Sequence, residues 1–238
     1  MGRFPNIAAS KAKTGAAKAK IYSSYAKEIY QVAKTGGTDP SGNLNLRRLI
    51  EKAKKDQVTS DVINRAIEKA KGSGGEDYQT IIYEGFGPST STLIIKTMTD
   101  NVNRTVAEVR TCFNKVHKSL GVTNSVSYNY DYLNIVSFKY DNEEEIFNKL
   151  LDEGLEFTDF ENENGVLTIS VNPKDQHKLK DILEKIIPGI SYEYDETGYY
   201  PKERVTLSGE ELEEFQKLNR LLNEVEDVTN VYHNVNLD

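Results

Sequence analysis

From Ile21 onward the apolar positions fall at helical spacing. Ile21, Tyr25, Ile29 and Val32 share one face, which predicts a helix over Ala16 to Lys34 that Gly36-Gly37 stops. A second helix is predicted over Leu44 to Lys55, with Leu46, Leu49, Ile50 and Ala53 as its apolar stripe and a strongly basic opposite side. The third opens at Thr59 as N-cap, with Val58 and Ile63 placed as a hydrophobic staple and Val62, Ala66, Ile67 and Ala70 completing the buried side. Lys71-Gly-Ser-Gly-Gly75 then reads as a helix stop and linker.

Beyond the linker the period changes from helical to that of strands. Gln79 to Glu84 and Thr92 to Thr97 read as strands joined through Gly85-Phe-Gly-Pro88. Val102, Val106, Val109, Phe113 and Val116 form one helical seam, and Ser125 to Tyr130 reads as a strand. The next elements are strand Ile135 to Tyr140, helix Glu143 to Glu153, strands Leu155 to Phe160 and Val166 to Val171, helix Lys174 to Ile187, and a strand near Ser191 to Tyr194. That order, βαββαβ, is the signature of a ferredoxin-like unit. The tail adds strand Arg204 to Leu207, helix Gly209 to Glu226 and strand Val228 to Val235, too few elements for a core of their own. The expectation is an α+β protein of three domains: a basic helical domain over 1–75, a discontinuous α/β domain over 76–131 plus 202–238, and a ferredoxin-like domain over 132–201 inserted into it.

Charge changes the picture most. Residues 1–75 carry fifteen Lys and Arg against six Asp and Glu, so the net of −7 for all 238 residues requires −16 beyond them. A chain that separates charge in this way presents one end to a polyanion and keeps the rest repelled from it. The cations expected to meet phosphates are Arg3, Lys11, Lys13, Lys18, Lys20, Lys27, Arg47, Arg48, Lys52, Lys54 and Lys55. The early ones are separated by small residues such as Ala8, Ala9 and Gly15, which suits an arm that orders on its partner. Spread lysines supply affinity but little base-edge readout, and the sequence shows no convincing helix-turn-helix. Duplex DNA and structured RNA therefore both stand as ligands.

Other chemistry is sparse. Pro88 lacks the N–H that a phosphate cradle would use, so Glu84 and Phe86 are expected on an exposed functional loop or cleft with Asn103 and Arg104. Arg104 lies off the apolar seam, facing either a phosphate or acids such as Asp100 and Glu108. Cys112 abuts the seam as a core filler, and His117, His177 and His233 lack metal-ligand spacing. Tyr192, Tyr194, Tyr199 and Tyr200 lie among Glu193, Asp195 and Glu196, which suits a protein-facing or solvated strand better than base stacking. A catalytic set, a cofactor site and a small-molecule substrate are not expected. The lone cysteine, the missing apolar h-region and the lack of about 18 consecutive apolar residues point to a cytoplasmic protein without a membrane anchor.

Ile82-Tyr-Glu-Gly-Phe-Gly-Pro88, Asn103-Arg-Thr-Val-Ala-Glu-Val-Arg110, Ser125-Val-Ser127 and Val231-Tyr-His-Asn-Val235 resemble the YebC/PmpR family, and Met1-Gly-Arg3 resembles the start of its YeeN-like branch. The resemblance spans nearly the whole chain. It implies three domains, no enzymatic activity, and a role either in transcription regulation or in translation on the ribosome as an activator that binds ribosomal or transfer RNA. The sequence departs from the family in having Phe4-Pro5 where relatives carry Trp, His117-Lys-Ser-Leu-Gly121 for a Gly-Gly-x-Leu-Gly segment, and Asn124 for a Gly.

Overall fold

A computed structural model describes residues 15–72, 75 and 77–237. They form two compact units, one made of residues 127–204 and the other of the chain on either side of it. The mixed α and β class expected from the pattern is the class observed.

The flanking unit starts with α1 (Gly15–Gly36), α2 (Leu44–Lys55) and α3 (Ser60–Lys71). Their shared core holds Tyr25, Ile29, Tyr30, Ala33, Leu46, Ala53, Val58, Ile63 and Ala66. Buried Asn43 organises the α1–α2 corner: its side chain caps Leu46 N–H at 3.1 Å and donates to the carbonyls of Val32 and Gly37 at 3.1 and 2.9 Å. Thr59 stands at the N-cap of α3 but its hydroxyl makes no capping bond, so the buried pair Val58 and Ile63 sets the entry instead.

Residues 56–59 join α2 to α3, which is the turn length of a helix-turn-helix and a feature the sequence did not display. Val58 N–H reaches Ala53 O at 2.9 Å and Gln57 N–H reaches Lys54 O at 3.0 Å, a Schellman closure that requires Gln57 at φ +63°. From α1, the hydroxyls of Tyr22 and Tyr25 hold this turn at Gln57 O (2.7 Å) and the Asp56 carboxylate (2.5 Å).

The same unit continues with β1 (Gln79–Phe86), β2 (Thr92–Thr99), α4 (Val102–Asn114) and β3 (Ser119–Leu120), and resumes after residue 204 with α7 (Gly209–Glu224) and β8 (Val228–His233). The antiparallel sheet has order β3-β1-β2-β8. Leu93 and Ile95 of β2 pack with Val109, Cys112 and Phe113 of α4 and with Phe215, Leu218 and Leu222 of α7. Gly85 is required here, because a Cβ would stand 2.4 Å from the Phe113 ring. Val102 and Val106, expected on the buried seam, are exposed and half-buried, and Thr105 is buried in their place.

The unit of residues 127–204 contains β4 (Tyr130–Lys139), α5 (Glu143–Asp152), β5 (Asp159–Glu163), β6 (Val166–Val171), α6 (Gln176–Ile186) and β7 (Tyr194–Pro201). Its antiparallel sheet has order β5-β6-β4-β7, the ferredoxin-like arrangement, with α5 and α6 supplying Ile146, Leu150, Leu179, Ile182 and Leu183 to the core.

Several strand bounds differ from expectation. Ser125 and Val126 form a bend and Ser127–Asn129 a single helical turn, with Tyr130 alone of the expected strand residues in β4, because Val126 gives its N–H to a carboxylate rather than to a neighbouring strand. Leu155 closes α5 instead of opening a strand: Gly154 takes φ +61° and Leu155 N–H bonds Leu150 O at 2.9 Å. The Ser191 to Tyr194 strand starts later, at Tyr194, and Arg204 to Leu207 supplies one parallel bridge, Val205 to Val235.

Candidate nucleic-acid interface

The inward packing of Leu46 and Ala53 turns the basic side of α2 outward. Arg47, Lys54 and Lys55 are exposed, and Arg48 and Lys52 are half-buried. Three of these, Lys52, Lys54 and Lys55, sit in the last turn, where the helix dipole favours positive charge. α3 adds exposed Arg65, Lys69 and Lys71, which the sequence reading passed over although they occupy outward positions of a helix it had placed. Lys71 is bonded to Glu68 at 2.5 Å, and Lys69 lies 5.5 Å over the Tyr30 ring. Between them, α2 and α3 hold eight Lys and Arg against four acids over residues 44–71.

The cations of α1 are placed differently. Lys18 is exposed, and Arg3, Lys11 and Lys13 lie outside the described residues. Lys20 turns inward to the carbonyl end of α7, donating to Asn223 O at 2.5 Å and Val225 O at 3.4 Å; burial, with Lys27 nearby, pulls its ammonium down to about 8.

Lys27 is only 8% exposed. It pairs with Asp227 at 2.8 Å, reaches Met98 O at 3.4 Å and lies 5.5 Å from the Tyr78 ring centre. Asp227, itself 2% exposed, also accepts from Arg104 at 2.7 Å, Thr105 at 2.8 Å and Thr99 at 3.0 Å. Burial alone would raise the Asp227 carboxyl, but the hydrogen bonds from Lys27, Arg104 and Thr105 outweigh it and hold the group well below the usual carboxylate range. Lys20 and Lys27, expected to face phosphates, are thus engaged within the fold.

The loop expected to expose Glu84 is corrected. Glu84 is 5% exposed, and its carboxylate accepts from Asn124 N–H at 2.8 Å and Val126 N–H at 2.7 Å while its carbonyl accepts from Gly121 N–H at 2.8 Å. Only Phe86 stands out, 46% exposed. Asn124 takes φ +64°, the left-handed backbone that the missing glycine would have supplied. Asn103 is exposed on α4, and Arg104 bridges Asp100 (2.9 Å) and Asp227, the acidic-neighbour alternative of the two. Glu84 is thus bonded to the backbone of Asn124 and Val126, and Arg104 to the carboxylates of Asp100 and Asp227.

Cys112 lies at a groove of about 530 Å³ between α4 and α7, beside Glu108, Leu221 and Glu224. Its burial, with Glu108 and Glu224 nearby and against the opposing pull of Lys115, pushes the thiol up, away from nucleophilic thiolate. Among the described residues no group of three or more His, Cys, Asp and Glu could hold a metal ion, and no helix is long and apolar enough to cross a membrane. Tyr194 and Tyr200 bring their hydroxyls to 3.0 Å, and burial beside Glu196 pushes Tyr194 up to about 12.

Comparison with known proteins matches both ends of the chain. Residues 2–73 match the family model described as the TACO1/YebC protein N-terminal domain, and residues 78–235 match the one described as the TACO1/YebC second and third domain. Probable transcriptional regulatory proteins from Saccharophagus degradans and Marinomonas sp. are 45% and 46% identical over 235 residues, each covering 98% of this chain and 99% of the relative. One from Alcanivorax borkumensis is 43% identical over 238 residues and all of both chains. The crystal structure of a conserved hypothetical protein from Aquifex aeolicus superimposes with a TM-score of 0.74 at 32% identity, covering 99% of this chain and 97% of that one.

Proposed function

The chain belongs to the TACO1/YebC family, and from that premise we propose that it is a non-enzymatic, cytoplasmic regulator of gene expression that binds nucleic acid through α2 and α3. The carrying observation is the outward basic side of α2, where Arg47, Arg48, Lys52, Lys54 and Lys55 follow one another with Glu51 as the sole acid inside the helix. Relatives named as probable transcriptional regulatory proteins support the regulatory role. We divide the chain as the sequence suggests, into 1–75, 76–131 plus 202–238, and 132–201, with the first domain making the phosphate contacts.

Duplex DNA is the first ligand. The four-residue turn before α3 supports it, since a helix so placed would carry Asn64, Arg65 and Lys69 toward a groove. A second reading, structured RNA on the ribosome, is favoured by the charge division itself, which serves any dense polyanion and needs no base readout. Both make a shared prediction. If the five α2 cations neutralise five phosphates, log K on duplex DNA falls against log salt with a slope of about −4.5, and Lys54→Ala reduces that slope by about 0.9. A slope near zero would overturn the phosphate reading. Loss of ribosome co-sedimentation in Arg47→Glu/Lys54→Glu, with no specific duplex retained by the parent, would select RNA.

A further inference from the structure

Helix α5 buries Ile146 and Leu150 and leaves its neighbouring stripe uncovered. Phe147 is 38% exposed and Leu151 54%, although a solvated helix face would carry polar residues at both positions. They lie four apart, one turn above the other. The Phe147 ring meets Phe157 edge-on at 5.6 Å and Phe160 at 5.4 Å, and Phe157 and Phe160 are 5.9 Å apart. Phe157 and Phe160 are packed against the core, so the cluster is a supported shelf rather than loose side chains. It stands where α5 meets β5, the edge strand of its sheet.

The surroundings define the visitor. Residues 143–163 contain nine Asp and Glu and one Lys, a net of −8, and that Lys149 is paired with Glu153 at 2.9 Å. Glu144 and Asp152 of α5 and Glu156 of the segment that follows it are exposed. Such a field repels nucleic acid and concentrates cations. The apolar pair meanwhile asks for aliphatic or aromatic anchors one helical turn apart.

We propose that the α5–β5 shelf of Phe147, Leu151, Phe157 and Phe160 is a docking surface for a cationic amphipathic helix of a partner protein, whose apolar face covers the shelf while its Lys and Arg meet the acidic rim. This goes beyond the nucleic-acid reading and uses none of its residues.

The test is fluorescence anisotropy of the full chain with a dye-labelled amphipathic helix of leucine and lysine about four turns long, compared with an oligolysine of equal charge. The amphipathic helix binds more tightly than oligolysine, and Leu151→Ser weakens it at least about tenfold while leaving oligolysine binding unchanged. Because Leu151 is more than half exposed, that variant keeps the melting temperature of the parent. Glu144→Lys/Glu156→Lys weakens both peptides. Equal binding of the two peptides, or an unaltered amphipathic-helix affinity in Leu151→Ser, would overturn the proposal and reduce the region to a diffuse acidic surface. Duplex DNA titrated against Leu151→Ser gives the parent's salt slope, so a failure of the shelf and a failure of the phosphate reading are separately visible.

Discussion

Asp227 is where single residues matter most. Two cations and two hydroxyls converge on one buried carboxylate, so removing it leaves the buried Lys27 ammonium without its counter-charge, with the Met98 carbonyl at 3.4 Å and the Tyr78 ring beside it, and takes one acceptor from Thr99 and Thr105. Asp227→Ala is expected to cost about 3–5 kcal/mol, read as a fall in the denaturant midpoint, because breaking a buried pair leaves an uncompensated charge. The sign with pH follows from the depressed carboxyl. Its stabilisation is complete above the unfolded value of about 3.9 and is lost as pH falls below it toward the folded value, so unfolding free energy holds level above about pH 5 and declines below about pH 4. Asp227→Asn flattens that decline in a pH series of melts. None of this was legible in sequence: Lys27 and Asp227 are 200 positions apart, and only folding shows that one of eleven candidate phosphate ligands serves a carboxylate. Arg104 was more readable, since Asp100 stands four residues before it at helical spacing.

At the scale of elements, helix interiors were legible apart from α4, where Thr105 is buried instead of Val106, and endings were not. The spacing of Leu46 and Ala53 or of Ile146 and Leu150 identifies a buried stripe directly, whereas a chain reversal depends on one backbone angle. Leu155 looks like the first residue of a strand and is the capping apolar residue of α5. The α2 ending is harder still, because its left-handed residue is Gln57 rather than glycine. Left-handed backbone costs a side-chain-bearing residue about 1–2 kcal/mol, and glycine returns part of that through a freer unfolded chain. Gln57→Gly is therefore expected to raise stability by about 0.5–1 kcal/mol, seen as a higher urea midpoint with an unchanged slope. The Tyr22 bond survives the change, since it is made to the Gln57 backbone carbonyl. No change or a fall in midpoint would mean that the Gln57 side chain itself holds the turn.

For the whole molecule, the separation of +9 from −16 was plain in the sequence, and so was the βαββαβ order, because each strand and helix of that unit carries its own period. What could not be read was that the basic helices and the first sheet share one compact unit, joined through Lys27 and Lys20 to the other end of the chain. A truncation at residue 76 consequently removes a structural counter-charge along with any ligand contacts. The fragment 77–238 is expected to melt below the full chain in calorimetry, and charge reversal on α2 is the cleaner probe of binding; a fragment as stable as the parent would show that Arg104 alone suffices for Asp227. The buried ion pair also has a temporal side. Lys27 is made 200 residues before Asp227, so at about 5–20 residues per second the nascent helix waits about 10–40 seconds for its carboxylate. During that interval Lys27 lacks the carboxylate that meets it in the folded protein, and α1 cannot close its buried ion pair until Asp227 has been made.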